Sequence, residues 1–323
     1  MTYRIPLKGI DAEHYVEQYL EFQLDILNVF PKYFLIETIN MCNARCIMCA
    51  IDFKKRKNPV MSDALFDKIA NDLSQYKDHI EKVALYLDGE PLLDKGLPEK
   101  IQKLKKAGIK KINIATNASL LNKEKAIQII DAGLDEIFIA IDSLKKEVYE
   151  SIRVGLKFEK VYQNIMDFIL TRNKLNPNLV IRIQMILQEL NINEAGDFKK
   201  HWRPLLKSND QVAVQKAHNY ASGAKVMKFG DEKMVNNIPC IALWGTFVIH
   251  VSGIVPLCCM DTKSEVVLGD LNNQTIAEVW SGNILNKIRK IHLSGKRNKV
   301  SLCDGCTLWR DSKSKRYLTK INL

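Results

Sequence analysis

The sequence predicts an α/β fold: a partial (β/α)6 TIM-like barrel followed by a small C-terminal cysteine-rich β-hairpin/helix extension. Three observations carry this. From residue 33 to about 217, short runs rich in Ile, Val, Leu and Phe alternate with longer amphipathic stretches. After residue 217 the alternation stops, and a polar stretch leads into a hairpin-like pattern. The eight cysteines gather near the start of the first region and within the second. The expected organisation is an N-terminal helical lid or collar over 1–32, the barrel over 33–217 and the extension over 218–323.

The strand candidates span 33–39, 83–87, 111–115, 136–141, 179–187 and 211–215. Each is short and nearly continuous in apolar character, as strands buried on both faces of a parallel sheet are. Helical periodicity fills the gaps. Ser62 and Asp63 predict a capped helix start near Ala64. The patterns 97–107 and 123–132 end at Gly108 and Gly133, 158–175 stops before Pro177, and 193–206 gives one more helix. Six strand–helix units are fewer than the eight of a closed barrel, so an open side is expected. Upstream, 11–30 reads as an amphipathic helix on Tyr15, Tyr19, Phe22, Leu24, Ile26 and Leu27. In the extension, 246–250 and 254–257 flank Val251-Ser252-Gly253 and read as a hairpin, followed by short helices over 275–280 and 283–292.

Composition narrows the class. The 323 residues are 46% apolar and 26% charged, the balance of an ordinary globular protein able to bury a sizeable core. No run of about 18 apolar residues is present, so no membrane span is expected. The first residues lack a secretory apolar segment, which predicts a cytoplasmic, reducing setting. The net charge is +11. Its sharpest run is Lys54-Lys55-Arg56-Lys57, and Lys313, Lys315, Arg316 and Lys320 add to it near the end. A solvated surface explains these residues, with a phosphate-bearing substrate as the functional alternative. Without aromatic interleaving, nucleic acid is not an expected partner.

In a reducing compartment clustered cysteines point to metal rather than disulfides. Cys42-Asn-Ala-Arg-Cys46-Ile-Met-Cys49 has the spacing C-x3-C-x2-C and directly follows the first predicted strand. Active sites of parallel α/β folds collect at that end of the strands. Three thiolates can hold three irons of a [4Fe–4S] cluster and leave the fourth open to a ligand. Three ligands with no neighbouring His fit zinc poorly. Cys240, Cys258, Cys303 and Cys306 form a second, four-ligand set, which on spacing alone suits zinc as well as iron–sulfur.

With these motifs the sequence resembles the radical S-adenosylmethionine superfamily over roughly residues 33–310. The resemblance implies that the open iron is chelated by S-adenosylmethionine. Cleavage of that molecule then gives a 5′-deoxyadenosyl radical that abstracts a substrate hydrogen atom. Leu87-Asp88-Gly89-Glu90-Pro91 resembles the family's Gly-Gly-Glu-Pro turn, with Asp88 in place of the first Gly. This implies that Glu90 receives the methionine amine, with Gly89 allowing close approach. Thr116-Asn117 resembles Thr-Asn-Gly and makes Asn117 a cofactor contact. Ala140-Ile141-Asp142-Ser143 resembles Ser-Ile-Asp-Gly and brings in Asp142 and Ser143, although Ala140 removes one contact. Arg153 matches the family's following Arg, and Gln184 on the fifth strand is a further candidate. Met48 stands where an aromatic residue is common.

The C-terminal frame, Pro239-Cys240, Cys258-Cys259-Met260-Asp261 and Cys303-x2-Cys306, resembles the SPASM/twitch extension of this superfamily. With four ligands present, it implies one auxiliary [4Fe–4S] cluster held entirely by protein. Cys258 is then the ligand and Cys259 the spare thiol, either a small buried hydrophobe or a hydrogen-atom donor. A fully ligated cluster suits electron transfer, and the resemblance implies an external one-electron donor such as flavodoxin or ferredoxin. The expected activity is oxidation (dehydrogenase) or epimerisation of a carbohydrate-like sugar or amino-cyclitol. Peptide modification is the alternative, and a non-catalytic metal scaffold is the remaining class. His218, Asn219 and Tyr220 are further candidate substrate contacts.

Overall fold

The computed structural model describes residues 30–51, 59–219, 239–240 and 242–306. The expected helix over 11–30, the basic run at 54–57 and the C-terminal basic residues lie almost wholly outside them, as does Tyr220. The strands in chain order are β1 (Tyr33–Ile36), β2 (Arg45–Cys46), β3 (Lys82–Ala84), β4 (Ile112–Thr116), β5 (Glu136–Ala140) and β6 (Arg153–Val154). Then come β7 (Val180–Leu187), β8 (Gln211–Lys216), β9 (Thr246–Ile249), β10 (Ile254–Pro256) and β11 (Val267–Asp270). The helices are α1 (Asp63–Gln75), α2 (Leu97–Lys106), α3 (Lys123–Asp131), α4 (Lys146–Ile152), α5 (Phe158–Leu175), α6 (Ala195–Trp202), α7 (Ala242–Gly245), α8 (Ile276–Trp280) and α9 (Asn283–Leu293).

Seven strands form one sheet in the order β8-β7-β5-β4-β3-β1-β9, and every pairing in it is parallel. The six expected strands are all there, each within a few residues of its predicted bounds. The helix starts follow their chemistry. Ser62 caps α1 by accepting from the Leu65 amide, and Asn122 caps α3 by accepting from Lys125. Gly108 and Gly133 follow α2 and α3 at φ +88° and +94°, conformations natural to glycine.

The hairpin expectation is corrected. The first of its two strands, β9, pairs in parallel with β1 as a seventh barrel strand, while β10 pairs antiparallel with β11. Two bonds close the turn, from the His250 amide to the Ile254 carbonyl and from the Gly253 amide to the His250 carbonyl. Phe247, Val248 and Ile249 are buried, so this apolar run gains more from the sheet edge than from a two-stranded ribbon. The barrel is therefore completed by residues from the extension.

Beneath the site, Arg172 of α5 and Asp210 before β8 form a fully buried fork, with Nη1–Oδ1 at 2.9 Å and Nη2–Oδ2 at 2.5 Å. Asp210 Oδ1 also accepts from the Ile181 amide at 2.8 Å. A charge this deep requires such pairing. The pair ties helix, β7 and β8 together at the end opposite the cysteines.

Candidate active site

The segment after β1 carries Cys42, Cys46 and Cys49. It is clamped rather than free, because β2 pairs antiparallel with β6 and sets Cys46 opposite Arg153. The Ile47 amide donates to the Ile152 carbonyl at 3.1 Å. Arg153 Nη1 donates to Cys46 Sγ at 3.4 Å, and its Nε donates to Asp142 Oδ2 at 2.5 Å. The Ala44 amide reaches Cys42 Sγ at 3.5 Å, and Asn117 Nδ2 lies 4.0 Å from the same sulfur. Burial pushes the Cys42 thiol up to about 11 and raises Cys49, and each senses Cys46. Among the described residues no three His, Cys, Asp or Glu side chains are drawn together around one metal ion. The donor set nonetheless suits an iron–sulfur cluster: three coupled thiols, N–H donors aimed at two of the sulfurs, and a guanidinium beside them.

The Gly-Glu-Pro turn packs directly on this segment. A Cβ on Gly89 would stand 2.1 Å from the Ile39 carbonyl oxygen and 2.8 Å from that of Met41, so only glycine fits. Glu90 turns inward. Its Oε1 accepts from Thr116 Oγ1 at 2.6 Å and from the Leu92 amide at 3.2 Å, and its Oε2 accepts from the Asn117 amide at 2.8 Å. Burial raises its pKa, and these three bonds act against that. Most of its accepting capacity thus binds the turn to the end of β4.

The other sequence-predicted residues divide by what they touch. Asn117 donates to Asn43 Oδ1 at 2.9 Å and accepts from Ser119, so it braces the cysteine segment. Asp142 accepts from the Ile186 amide at 2.7 Å as well as from Arg153. Ser143 donates to Glu194 Oε2 at 2.6 Å. Gln184 is half-buried on β7, one register step above Arg182 on the face of that strand opposite Ile183 and Met185. Met48 receives Gln188 Nε2 at 4.0 Å from its sulfur. Sequence reasoning missed Asn43, Gln188, Asn191 and Glu194. Asn191, which donates to the Asp142 and Ile186 carbonyls, carries no local motif that would have found it.

The second set gathers from separate segments. Cys240 senses Cys303 and Cys306, Cys258 senses Cys240 and Cys303, and Cys303 senses Cys306. Burial raises all three of Cys240, Cys258 and Cys303, the last to about 11. Four thiols in one another's field, three half-buried and Cys306 buried, suit a fully protein-ligated cluster. The Cys240 amide donates to His292 Nδ1 at 3.2 Å. Burial, with the nearby Arg297 charge, depresses His292 to about 4. Asn219 Nδ2 donates to the Gly305 carbonyl at 2.8 Å, so this residue ties the end of β8 to the second set. His218 is half-buried beside it.

Between the sets, side chains of the sheet and of the extension come within one another's field. Cys259 senses Cys306 on one side and Asp88 on the other, and Tyr86 senses Cys259. Tyr86 stands edge-on to Phe138, with ring centres 6.4 Å apart, and the Arg182 guanidinium lies 4.9 Å from the Phe138 ring centre. Tyr86, Phe138, Arg182 and Cys259 are all half-buried, and on β5 and β7 the flanking Ile137, Ile139, Ile181 and Ile183 are buried. Burial pushes Tyr86 and Cys259 each up to about 12, so both are neutral at pH 7.

The parallel sheet sets the three-cysteine segment at its strand ends, where the active sites of such folds lie. Residues 36–170 match the model of the Radical SAM superfamily, and residues 240–307 match that of an iron-sulfur cluster-binding domain, SPASM. Over these two stretches the chain carries a Radical SAM domain and a C-terminal SPASM extension, domains whose cofactors are [4Fe–4S] clusters and S-adenosylmethionine. It is 31% identical over 166 residues to a probable GTP 3′,8-cyclase of Methanothermobacter marburgensis, covering 50% of each chain. With a probable GTP 3′,8-cyclase of Methanococcus maripaludis it shares 35% over 125 residues, 38% of this chain and 41% of the other. The chain thus spans half or less of the curated relatives it matches. Among solved structures it resembles BtrN in complex with AdoMet and 2-DOIA, at TM-score 0.60 and 17% identity over 86% of this chain and 93% of that one. It also resembles Streptococcus suis SuiB bound to precursor peptide SuiA, at TM-score 0.65 and 15% identity over 94% and 79%. At such identities the likeness is one of fold. No helix among the described residues is long and apolar enough to cross a membrane.

Proposed function

We propose that Cys42, Cys46 and Cys49 hold the cluster that takes S-adenosylmethionine, and that Cys240, Cys258, Cys303 and Cys306 hold one auxiliary [4Fe–4S] cluster. On this reading 33–217 is the radical unit, 218–323 the auxiliary-cluster unit and 1–32 a lid, with β9 lent to the barrel. The substrate is a hydroxyl-bearing, carbohydrate-like molecule that is oxidised between the two sets. What supports this is the pair of thiol sets with Tyr86, Phe138, Arg182 and Cys259 brought near one another between them. Likeness to GTP cyclases, whose substrate contains a ribose, favours a hydroxylated small molecule over a peptide. The fold likeness to SuiB keeps a peptide as the competing substrate class.

When bound, the cofactors supply a radical that takes a hydrogen atom from the substrate carbon and an acceptor for the electron left behind. The residues of this chain do the rest. Arg153 holds Cys46 and is itself held by Asp142. Glu90 fixes the turn that positions Gly89 and Asp88. Asp88, whose charge is felt at both Cys49 and Cys259, is the carboxylate placed to accept the hydroxyl proton. Here the residue that departs from the family turn gains a role.

The position of Cys259 favours one second reading. It follows Cys258 and senses both Cys306 and Asp88, so it could return a hydrogen atom to the opposite face, which gives epimerisation. A panel of sugars and amino-cyclitols incubated with reconstituted enzyme tests both readings. Oxidation gives substrate-dependent 5′-deoxyadenosine and a product lighter by a pair of hydrogens. Epimerisation gives an unchanged mass and fails in Cys259→Ala. Turnover of peptides alone would overturn the carbohydrate assignment.

A further inference from the structure

Three arginines are buried in the described structure, and two of them have conventional partners. Arg172 is forked onto Asp210. Arg289 donates to the Leu243 and Trp280 carbonyls and covers the Trp280 ring at 4.3 Å. Arg297 differs. It is 1% exposed, its Nη2 donates to the Cys306 carbonyl at 3.3 Å, and its Nε and Nη1 have no protein partner. A guanidinium cannot shed its charge at physiological pH, and leaving one buried without an anion is costly. Its field reaches the thiols of Cys240 and Cys303, which become anionic when they ligate metal. His292, also fully buried, meets the same field, and its Nδ1 is taken up by the Cys240 amide.

We infer that Arg297 is the fixed counter-charge of the auxiliary cluster, a positioning residue that raises the reduction potential of that cluster alone. The inference rests on the proposed assignment of Cys240, Cys258, Cys303 and Cys306 as its ligands. A cluster held by four thiolates carries net negative charge, and each added electron makes it more negative. A buried cation beside it favours the reduced form, and N–H donors aimed at sulfur do the same. The two unpaired donors of Arg297 are then explained as donors to cluster-bound sulfur. In an electron-accepting role, a higher potential makes transfer from the substrate more favourable.

The test is a redox titration of the fully reconstituted chain, followed by electron paramagnetic resonance, on wild type, Arg297→Gln and Arg297→Lys. The glutamine variant should lower the midpoint of the auxiliary cluster by about 59 mV or more, a tenfold change in the ratio of oxidised to reduced cluster for a one-electron couple. The midpoint of the other cluster should not move. The lysine variant, which keeps the charge, should stay close to wild type. A loaded glutamine variant with an unchanged midpoint overturns the inference. If glutamine prevents loading, the lysine variant decides: a wild-type midpoint supports the charge, and a tenfold shift refutes it. Wild-type protein with iron for one cluster only would instead fail the ligand assignment, which iron and sulfide analysis detects separately.

Discussion

The two cysteine sets are built by opposite means. The first is local: Cys42, Cys46 and Cys49 lie in one segment, which β6 clamps and the Gly89 turn packs. The second is assembled from distant pieces, with Cys240 before α7, Cys258 after β10, and Cys303 and Cys306 in the last described turn. The first set has amide, Asn and Arg donors on its sulfurs and abuts the strand ends, where a cofactor can enter. At the second set Cys240, Cys258 and Cys303 are half-buried like the first three and Cys306 is buried, with the Arg297 cation and a neutral His292 imidazole nearby. Thiols of both sets are about equally exposed and both receive backbone donors. The difference teaches that one set is built by a single clamped segment and the other only by the folding together of distant ones.

The largest effects should separate the sets outright. Cys42→Ala should abolish 5′-deoxyadenosine formation, by more than about 10³-fold, because removing one of three thiolates dismantles the cofactor site. Cys240→Ala should lose the iron of the second cluster and end substrate oxidation, yet still allow deoxyadenosine to form. Equal loss in both variants would erase the proposed division of labour. Asp88→Asn should lower product formation about 10²–10⁴-fold at wild-type iron content, the range for a lost general base. Arg153→Gln should cost about 10–100-fold, as expected of a group that orients a ligand rather than binding metal.

Smaller effects concern stability. Gly89→Ala meets backbone oxygens that cannot yield and should cost on the order of 3 kcal/mol by urea denaturation. Gly269→Ala, in the C-terminal unit, meets Val279 Cγ2 at 2.5 Å and Gln274 Oε1 at 2.7 Å. Those are side chains that can turn, so about 1–2 kcal/mol is expected there.

The pH response of the metal-free chain should be two-sided. Cys42 and Cys303, pushed up to about 11, add stability that is full below the unfolded thiol value and fades as pH rises toward 11. His292, depressed to about 4, adds stability that is full above about 6.5 and fades as pH falls toward 4, on the order of 3 kcal/mol in all. His292→Asn should flatten the acid arm and leave the alkaline arm. A flat acid arm in the wild type would count against a buried neutral His292.

How much of this could be read in advance follows the same division. The six alternating strands, the capped helices and the first cysteine segment are local patterns, and the sequence carries them plainly. β9 was misassigned because its partner, β1, lies more than 200 positions upstream, and no local spacing distinguishes a hairpin arm from a sheet edge. The Gly-Glu-Pro turn was legible as a motif. That Glu90 faces β4 was not, because its partners Thr116 and Asn117 come from another strand. Arg297 is invisible in the sequence, where it is one basic residue among 48 lysines and arginines. Only its burial among thiols sets it apart.

The central claim is that the Cys42–Cys46–Cys49 segment cleaves S-adenosylmethionine reductively. Its most direct test is 5′-deoxyadenosine formation by anaerobically reconstituted protein given S-adenosylmethionine and a strong one-electron reductant. The account predicts deoxyadenosine from wild type and none from Cys42→Ala. No deoxyadenosine from iron-loaded wild type under any reducing condition, or equal amounts from both proteins, would contradict it.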